Sequence, residues 1–356
     1  MDVGIQMVFA SHGWEGISDG QVYDEELKLA RLADELGFDV LWSVEHHFFD
    51  YSFCPDNTQL LAYLAGTLSH AEIGTAAVIL PWNEPLRVAE KIALLDHLAK
   101  GRFRFGIGRG LSRREFARFR GIGMEESRER FDEAAAMILE ALRTGFIEGD
   151  GQYYKQPRAE IRPRPERSFD DRLYAVASSD DSVESAARIK ATMVMFADRT
   201  WSARMPSIVK HRTRFRELHG VDAPPPLTCD FSVCLANHAE AEDVATRHMG
   251  SYLASVLEHY EVMGDHFAST KGYGAYAQAA EVLRKIGKSG FLDGFMKASI
   301  WGTPDEVLRT LESRRQLLGS FELATSFRFG GIPFEKAEQS LRLFAKEVLP
   351  ELKTWH

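Results

Sequence analysis

Five short stretches carry residue types that could hold and activate a small molecule. In Gly101-Arg-Phe-Arg-Phe-Gly-Ile-Gly-Arg-Gly110, Phe103, Phe105 and Ile107 alternate with Arg102, Arg104 and Gly106, the period-two signature of a strand with two unlike faces. The strand runs into Gly108-Arg109-Gly110, where two glycines let the backbone approach a ligand and Arg109 offers a planar, permanently charged fork suited to phosphate oxygens. From these ten residues alone, a surface arginine beside a simple turn is an equal reading. A dinucleotide fingerprint is excluded, because the spacing of Gly106 and Gly108 would need a glycine where Leu111 stands.

The second stretch, Glu45-His46-His47-Phe48, ends an apolar run. Adjacent histidines at a strand end point to opposite sides, so they do not share a metal; one faces the ligand side, as a catalyst or as a structural group. Arg128, in the first turn of a helix, opposes the macrodipole, a penalty that a bound anion would cancel and that pairing with Glu125 or Asp132 would also relieve. Ser178-Ser179-Asp180-Asp181-Ser182-Val-Glu184 offers hydroxyls and helix amides to a phosphate, while Asp181 with Glu184 reads as a capping box. Finally, Ala76 and Ala77 are small enough for a flat ring to lie against their backbone, or simply for close packing.

These residues need elements to position them. Apolar runs predict strands at Ile5–Ala10, Asp39–Val44, Ile73–Leu80, Phe103–Ile107, Leu173–Ala177, Met193–Phe196, Thr228–Leu235 and Glu322–Phe329. Helical spacing falls between them, at Tyr23–Leu36, Thr58–Leu68, Leu86–Leu98, Glu125–Leu142, Val183–Ile189, Met205–Leu218, Ala239–Leu257, Pro304–Leu318 and Phe334–Val348. A glycine-rich loop is expected up to Gly20, and a loop at Arg158–Pro165. Eight strands alternating with helices predict an α/β fold, a single (β/α)8 TIM barrel over residues 1–356, with active groups at the carboxyl ends of its strands. An open doubly wound sheet in two domains is the alternative. The rhythm breaks at about 258–299, a glycine-rich insertion before the last strand of the size of a lid or a disordered loop.

Composition narrows the partners. A net charge of -9 with scattered basic residues offers no face for a nucleic-acid backbone. No apolar run reaches membrane-span length and the first residues lack a signal-peptide pattern, so a cytoplasmic location is expected. Cys54, Cys229 and Cys234 are odd in number and lack metal-ligand spacing, which points to buried thiols.

Taken in order, the strand ends resemble the bacterial luciferase-like flavin monooxygenases, most of all the catalytic alpha subunit of luciferase. The matching residues are Glu45-His-His-Phe48, Gly74-Thr-Ala-Ala77 with Leu80-Pro81, Leu94-Leu-Asp96, Lys100 to Ile107 with Arg109-Gly-Leu111, and Ser127-Arg128. The resemblance implies a barrel that binds FMN, supplied as FMNH2 by a separate flavin reductase, with O2 as co-substrate. Oxygen would add at the flavin C4a carbon and the resulting peroxide would attack a small substrate, an aldehyde or ketone. Position by position, it implies a phosphate cradle of Arg109, Arg128, Ser179 and Ser182, with Ser178 and Leu111 also binding the cofactor. It also implies a non-proline cis peptide at Ala76-Ala77 beneath the flavin ring, Glu45 bracing that peptide, and His46 as the catalytic histidine. Lys285 and Lys288 fall where luciferase has a mobile lid.

The chain departs from luciferase at Gly108, where that enzyme has a reactive cysteine, and at Ala197, where it has a tryptophan. Light emission and a long-chain aldehyde substrate are therefore not implied. The resemblance also implies a homodimer or a heterodimer with a related subunit. Two other functions stay open: an F420-dependent oxidoreductase of the same superfamily, and a non-catalytic flavin-binding subunit. The luciferase beta subunit lacks the first histidine and the phosphate arginine, whereas His46 and Arg109 are present here.

Overall fold

The computed structural model describes residues 1–11, 17–271 and 273–355; the side chains at 275, 276, 279, 286 and 288 also lie outside the description. Most of the expected glycine-rich loop before Gly20 falls outside it, as does Gly272. The strands are β1 (Val3–Met7), β2 (Val40–Ser43), β3 (Glu72–Thr75), β4 (Val78–Ile79), β5 (Phe103–Gly108), β6 (Phe146–Asp150), β7 (Lys155–Glu160), β8 (Leu173–Val176), β9 (Thr192–Phe196), β10 (Leu227–Cys234), β11 (Ile300–Gly302) and β12 (Glu322–Ser326). Parallel pairing runs from β12 through β1, β2, β3, β5, β8, β9 and β10 and back to β12, closing an eight-stranded barrel. Helices follow the strands as in a TIM barrel, which is the fold expected from the alternation.

Two kinds of side chain fill the cylinder. Val40, Trp42, Tyr174, Val194, Leu227, Cys229 and Ala324 form an inner apolar cluster at period-two positions. Trp42 takes the most room: a Cβ on Gly74 would stand 2.4 Å from its ring, and one on Gly4 would stand 3.1 Å from it. Burying an aromatic of that size contributes about 5 kcal/mol. Below this layer Arg104 bonds Asp2, Glu322 at 3.0 Å and the Tyr174 hydroxyl at 3.1 Å, plugging the amino-terminal end with a paired charge.

Some expectations change. The third strand is broken between Thr75 and Val78, where the Ala76–Ala77 peptide is cis. The loop expected at Arg158–Pro165 is in part β7, which forms an antiparallel hairpin with β6 because the arginines cover Phe146, with Arg158 3.8 Å from its ring centre. The insertion is mostly helix rather than loop: His238–His259 runs into it, and Gly274–Ala298 fills it with a kink at Gly287, where φ is 72°. Its end adds β11, which pairs Ser232–Cys234 of β10 beyond the segment that pairs β9. No helix among the described residues is long and apolar enough to cross a membrane.

One buried ion pair ties the β5 and β8 region together. Arg172 donates to Asp96 at 2.6 Å and to the carbonyls of Phe103 and Arg167, while Asp96 also accepts the Glu166 and Arg167 amides. Asp96→Ala would leave the guanidinium buried and unpaired, and urea unfolding is expected to show a loss of about 3–5 kcal/mol.

Candidate active site

The carboxyl ends of the strands gather the candidate residues into an arginine group after β5 and β8 and an imidazole–carboxylate group after β2. Arg109 follows β5 directly, and Arg128 lies in the first turn of the helix Ser127–Thr144. Burial first, and the charge of Arg109 second, push the Arg128 pKa below its ordinary value. Arg128 approaches Asp132 only to 3.6 Å, and its Nε and Nη2 are buried with no hydrogen-bond partner among the described residues. Each unspent buried donor costs roughly 1–3 kcal/mol, a cost that an anion brought to the pair would remove.

The insertion reaches this group through Tyr273. Its ring lies over the Arg109 guanidinium at 4.1 Å, and its hydroxyl donates to the Gly110 carbonyl at 3.0 Å, so it accepts from the Ser127 hydroxyl at 2.9 Å. A stacked guanidinium keeps its edge for in-plane hydrogen bonds. Leu111 is half-buried against the cluster of Phe116, Met124, Phe267 and Tyr273.

Ser178, Ser179 and Ser182 stand after β8, which pairs with β5. The cap here is Ser179 with Ser182, not Asp181 with Glu184: the chain stays extended through Ser179, so the helix begins at Asp180 and the acids fall in its first turn. Glu184 instead pairs with Arg214 at 2.9 Å. The Ser182 hydroxyl takes the amides of Ser178 and Ser179 at 2.9 and 2.8 Å, so those donors are spent within the turn. The tie to the arginines is Asp132, which accepts Ser185 at 2.8 Å and Arg188 at 3.0 Å and faces Arg128.

Between the two groups lies the Ala76–Ala77 step. Ala76 donates to the Ser43 carbonyl at 2.8 Å, and the Ala77 carbonyl accepts from Asn57 at 3.2 Å. Glu45 braces the next turn of chain rather than this peptide: its carboxylate takes the Ile79 amide at 2.8 Å and Asn83 at 3.0 Å, with His47 Nε2 at 3.3 Å. A Cβ on Gly108 would meet the Ala77 Cβ at 3.3 Å, so the two small residues face each other across one surface.

His46 and His47 turn to opposite carboxylates, as their adjacency predicts. His46 Nδ1 is 3.2 Å from Glu115, whose other oxygen is 3.3 Å from Nε2 of His259; the Glu115 carboxylate also takes the His47 amide at 2.7 Å. His46 Nε2 faces the Tyr260 hydroxyl at 3.5 Å, and the Tyr51 ring packs edge-on against the imidazole. Burial raises the pKa of Glu115, but the charge of His46 and the hydrogen bonds from both imidazoles outweigh it and hold the carboxyl well below its usual range. Among the described residues His46, Glu115 and His259 also form the one group whose ligand atoms could meet a metal ion, all within 4.8 Å of one another.

Sequence reasoning passed over Asn57, Glu115, His259, Tyr260 and Tyr273. Glu115 stands among Arg113, Arg114 and Arg118 and reads as one member of a solvated charge run. In the insertion Lys285 is exposed, and the side chain of Lys288 lies outside the described residues.

Comparison with known proteins places the chain in a family. The model of the luciferase-like monooxygenase family matches residues 1–320. The alkanal monooxygenase alpha chain of Aliivibrio fischeri is 36% identical over 351 residues, covering 95% of this chain and 94% of its own length. The oxygenase component of flavin-dependent trigonelline monooxygenase from Acinetobacter baylyi is 23% identical, over 93% of this chain and 90% of its own. Among solved structures, monooxygenase RslO1 from Streptomyces bottropensis superposes with a TM-score of 0.83 at 24% identity, covering 99% of this chain and 100% of that one. The oxygenating constituent of 3,6-diketocamphane monooxygenase from Pseudomonas putida, in complex with FMN, gives 0.72 at 18%, over 99% and 98%. An F420-dependent reductase from Methanopyrus kandleri gives 0.68 at 19%, over 99% of both chains. With the family model running through most of the chain and a relative above one-third identity along nearly all of it, the protein belongs to the luciferase-like monooxygenases, flavin-dependent oxygenases.

Proposed function

We propose that this chain, folded as one domain, is the oxygenase component of a two-component system, taking FMNH2 from a separate flavin reductase, using O2 and oxidising a small aldehyde or ketone. The observation that carries the cofactor assignment is the half-buried Arg128 guanidinium beside Arg109, its Nε and Nη2 buried with no hydrogen-bond partner among the described residues. A phosphate dianion fits that charge pair, and Ser178, Ser179 and Ser182 at the amino end of the next helix complete its surroundings. Leu111 and Tyr273 cover the cradle from the insertion side. Ala76, Ala77 and Gly108 make a wall without bulk, against which a flat ring can lie, and Glu45 holds the turn that follows.

Reduced flavin, when bound, supplies the electrons and the carbon at which dioxygen is activated. The chain's own residues orient, exclude water and move a proton. Glu115 keeps a proton on Nδ1 of His46, so Nε2 is the ring atom that gains or gives up a proton toward the reacting side. Phe48, Trp82 and Phe119 pack around His47 on its other flank.

An F420 reading has support in the Methanopyrus kandleri structural relative. The alkanal monooxygenase and trigonelline monooxygenase relatives, which align along 95% and 93% of the chain, favour oxygen chemistry. We extend the same reading to a dimer, with itself or with a related subunit.

Two measurements test this. FMN titration by fluorescence quenching is expected to weaken about tenfold to a hundredfold in Arg109→Ala and Arg128→Ala, while riboflavin, which lacks the phosphate, binds each variant like the unaltered protein. A preference for FMN over riboflavin that survives in the variants would remove the cradle. Supplied with FMNH2 by a reductase, isotopically labelled dioxygen and a panel of aldehydes and ketones, the protein is expected to place one labelled oxygen in the product. His46→Ala should lower that turnover about a hundredfold with FMN affinity nearly unchanged. Hydride transfer from reduced F420 without labelled product would decide for the alternative.

A further inference from the structure

The imidazole–carboxylate group holds more than the assigned histidine uses. Glu115 is fully buried on the short helix Arg113–Phe116, and two imidazoles from distant parts of the chain converge on it. His46 arrives from the loop after β2, and His259 from the last turn of the helix His238–His259, where the insertion begins. His259 is itself buried, stacked on the Tyr51 ring at 4.4 Å and edge-on to His46 at 5.5 Å.

The protons can be placed from the partners. An ionised carboxylate only accepts, so both facing nitrogens, Nδ1 of His46 and Nε2 of His259, carry hydrogen. Burial lowers the pKa of His259, against the opposing pull of its bond to Glu115, which favours the neutral ring with Nδ1 unprotonated. That assignment agrees with Nδ1 being buried without a hydrogen-bond partner among the described residues. A metal ion on Nε2 would force a proton onto Nδ1, where it would be a buried donor with nothing to receive it.

We propose that His259 is a positioning residue for His46, acting through Glu115: its Nε2–H holds the shared carboxylate ionised and aimed, and the carboxylate in turn locks His46 with its proton on Nδ1 and Nε2 as the exchanging atom. The inference rests on the oxygenase reading only for the use made of Nε2. Among the described residues no lysine or arginine takes the place of His259 at the carboxylate. Arg113 is committed to Glu261 at 2.7 Å, and Arg114 lies over the Phe49 ring at 4.2 Å, from where its charge acts on His259. The remaining titratable neighbours, Tyr51 and Tyr260, are phenols, and Tyr260 lies on the Nε2 side of His46.

The test compares two polar replacements of similar size. The side-chain amide of His259→Gln reaches the place of Nε2, whereas that of His259→Asn stops short. Nitrogen-labelled histidine spectra of the flavin-free protein are expected to show His46 with its proton on Nδ1 in the unaltered protein and in His259→Gln, and a mixture of tautomers in His259→Asn. Turnover should fall about tenfold in His259→Asn and recover in His259→Gln. Glu115→Gln should lose the Nδ1–H signature as His259→Asn does, which keeps the idea testable if His259→Asn fails to fold. A His46 signature unchanged by His259→Asn or by Glu115→Gln, or a stoichiometric divalent metal in the purified protein, would overturn it. Because the spectra need no flavin, failure of FMN to bind would count against the oxygenase reading alone.

Discussion

Two half-buried guanidinium groups held close enough to repel are an unfavourable arrangement, and the mouth of this barrel is built around it. The cost is visible in Arg128, whose charged form is disfavoured by burial and by Arg109 and whose remaining donors find no partner among the described residues. The fold sustains it with neutral supports: the Tyr273 ring over Arg109, and the Ser127 and Tyr273 hydroxyls bonded in series to the Gly110 carbonyl. Pairing Arg128 closely with a carboxylate would be less costly. Asp132, the nearest acid, is instead shared with Ser185 and Arg188 and stays 3.6 Å from Arg128.

The insertion before the last strands serves both halves of the mouth. Its first residues supply His259 to the shared carboxylate and Tyr260 to the open nitrogen of His46; fourteen positions after His259, Tyr273 covers the arginine group. Helix on either side of these contacts, with Phe267 and Tyr273 packed against Phe116 and Met124, gives the segment an apolar anchor at the barrel mouth. A segment that contacts both groups at once couples them: displacing it would bare Arg109 and release Glu115 together.

Most of the barrel was legible because its signals are local. Strand ends such as Gly108-Arg109 and Glu45-His46 carry period-two patterns and breakers within a few residues, and the helices carry their caps beside them. What escaped was tertiary. Glu115 meets His46 across 69 positions and His259 across 144, and Tyr273 meets Gly110 across 163, so no window of sequence joins them. The capping box failed by a small local margin: Ser179 and Asp181 are both good caps, and the extended backbone at Ser179 decided between them. The hairpin of β6 and β7 was hidden because its pattern of exposed arginines, glutamates and a proline resembles a loop, while its support comes from guanidinium packing on Phe146.

Gly106 and Gly108 look alike in the sequence and differ in what holds them. A Cβ on Gly106 would stand 1.9 Å from the Thr75 carbonyl, a backbone atom that cannot move without opening the β3–β5 seam, so the barrel itself demands glycine there. At Gly108 the nearest atom is the Ile79 Cδ1 at 3.0 Å, the flexible end of a side chain that could turn aside, with the Ala77 Cβ next at 3.3 Å. Packing would therefore accommodate a small side chain at Gly108, and the fold alone does not explain why one is missing. What glycine secures at that point is room along the face shared with Ala77, between the arginine group and His46. The departure from luciferase at this residue thus falls on the face shared with Ala77 rather than on the stability of the strand that carries it.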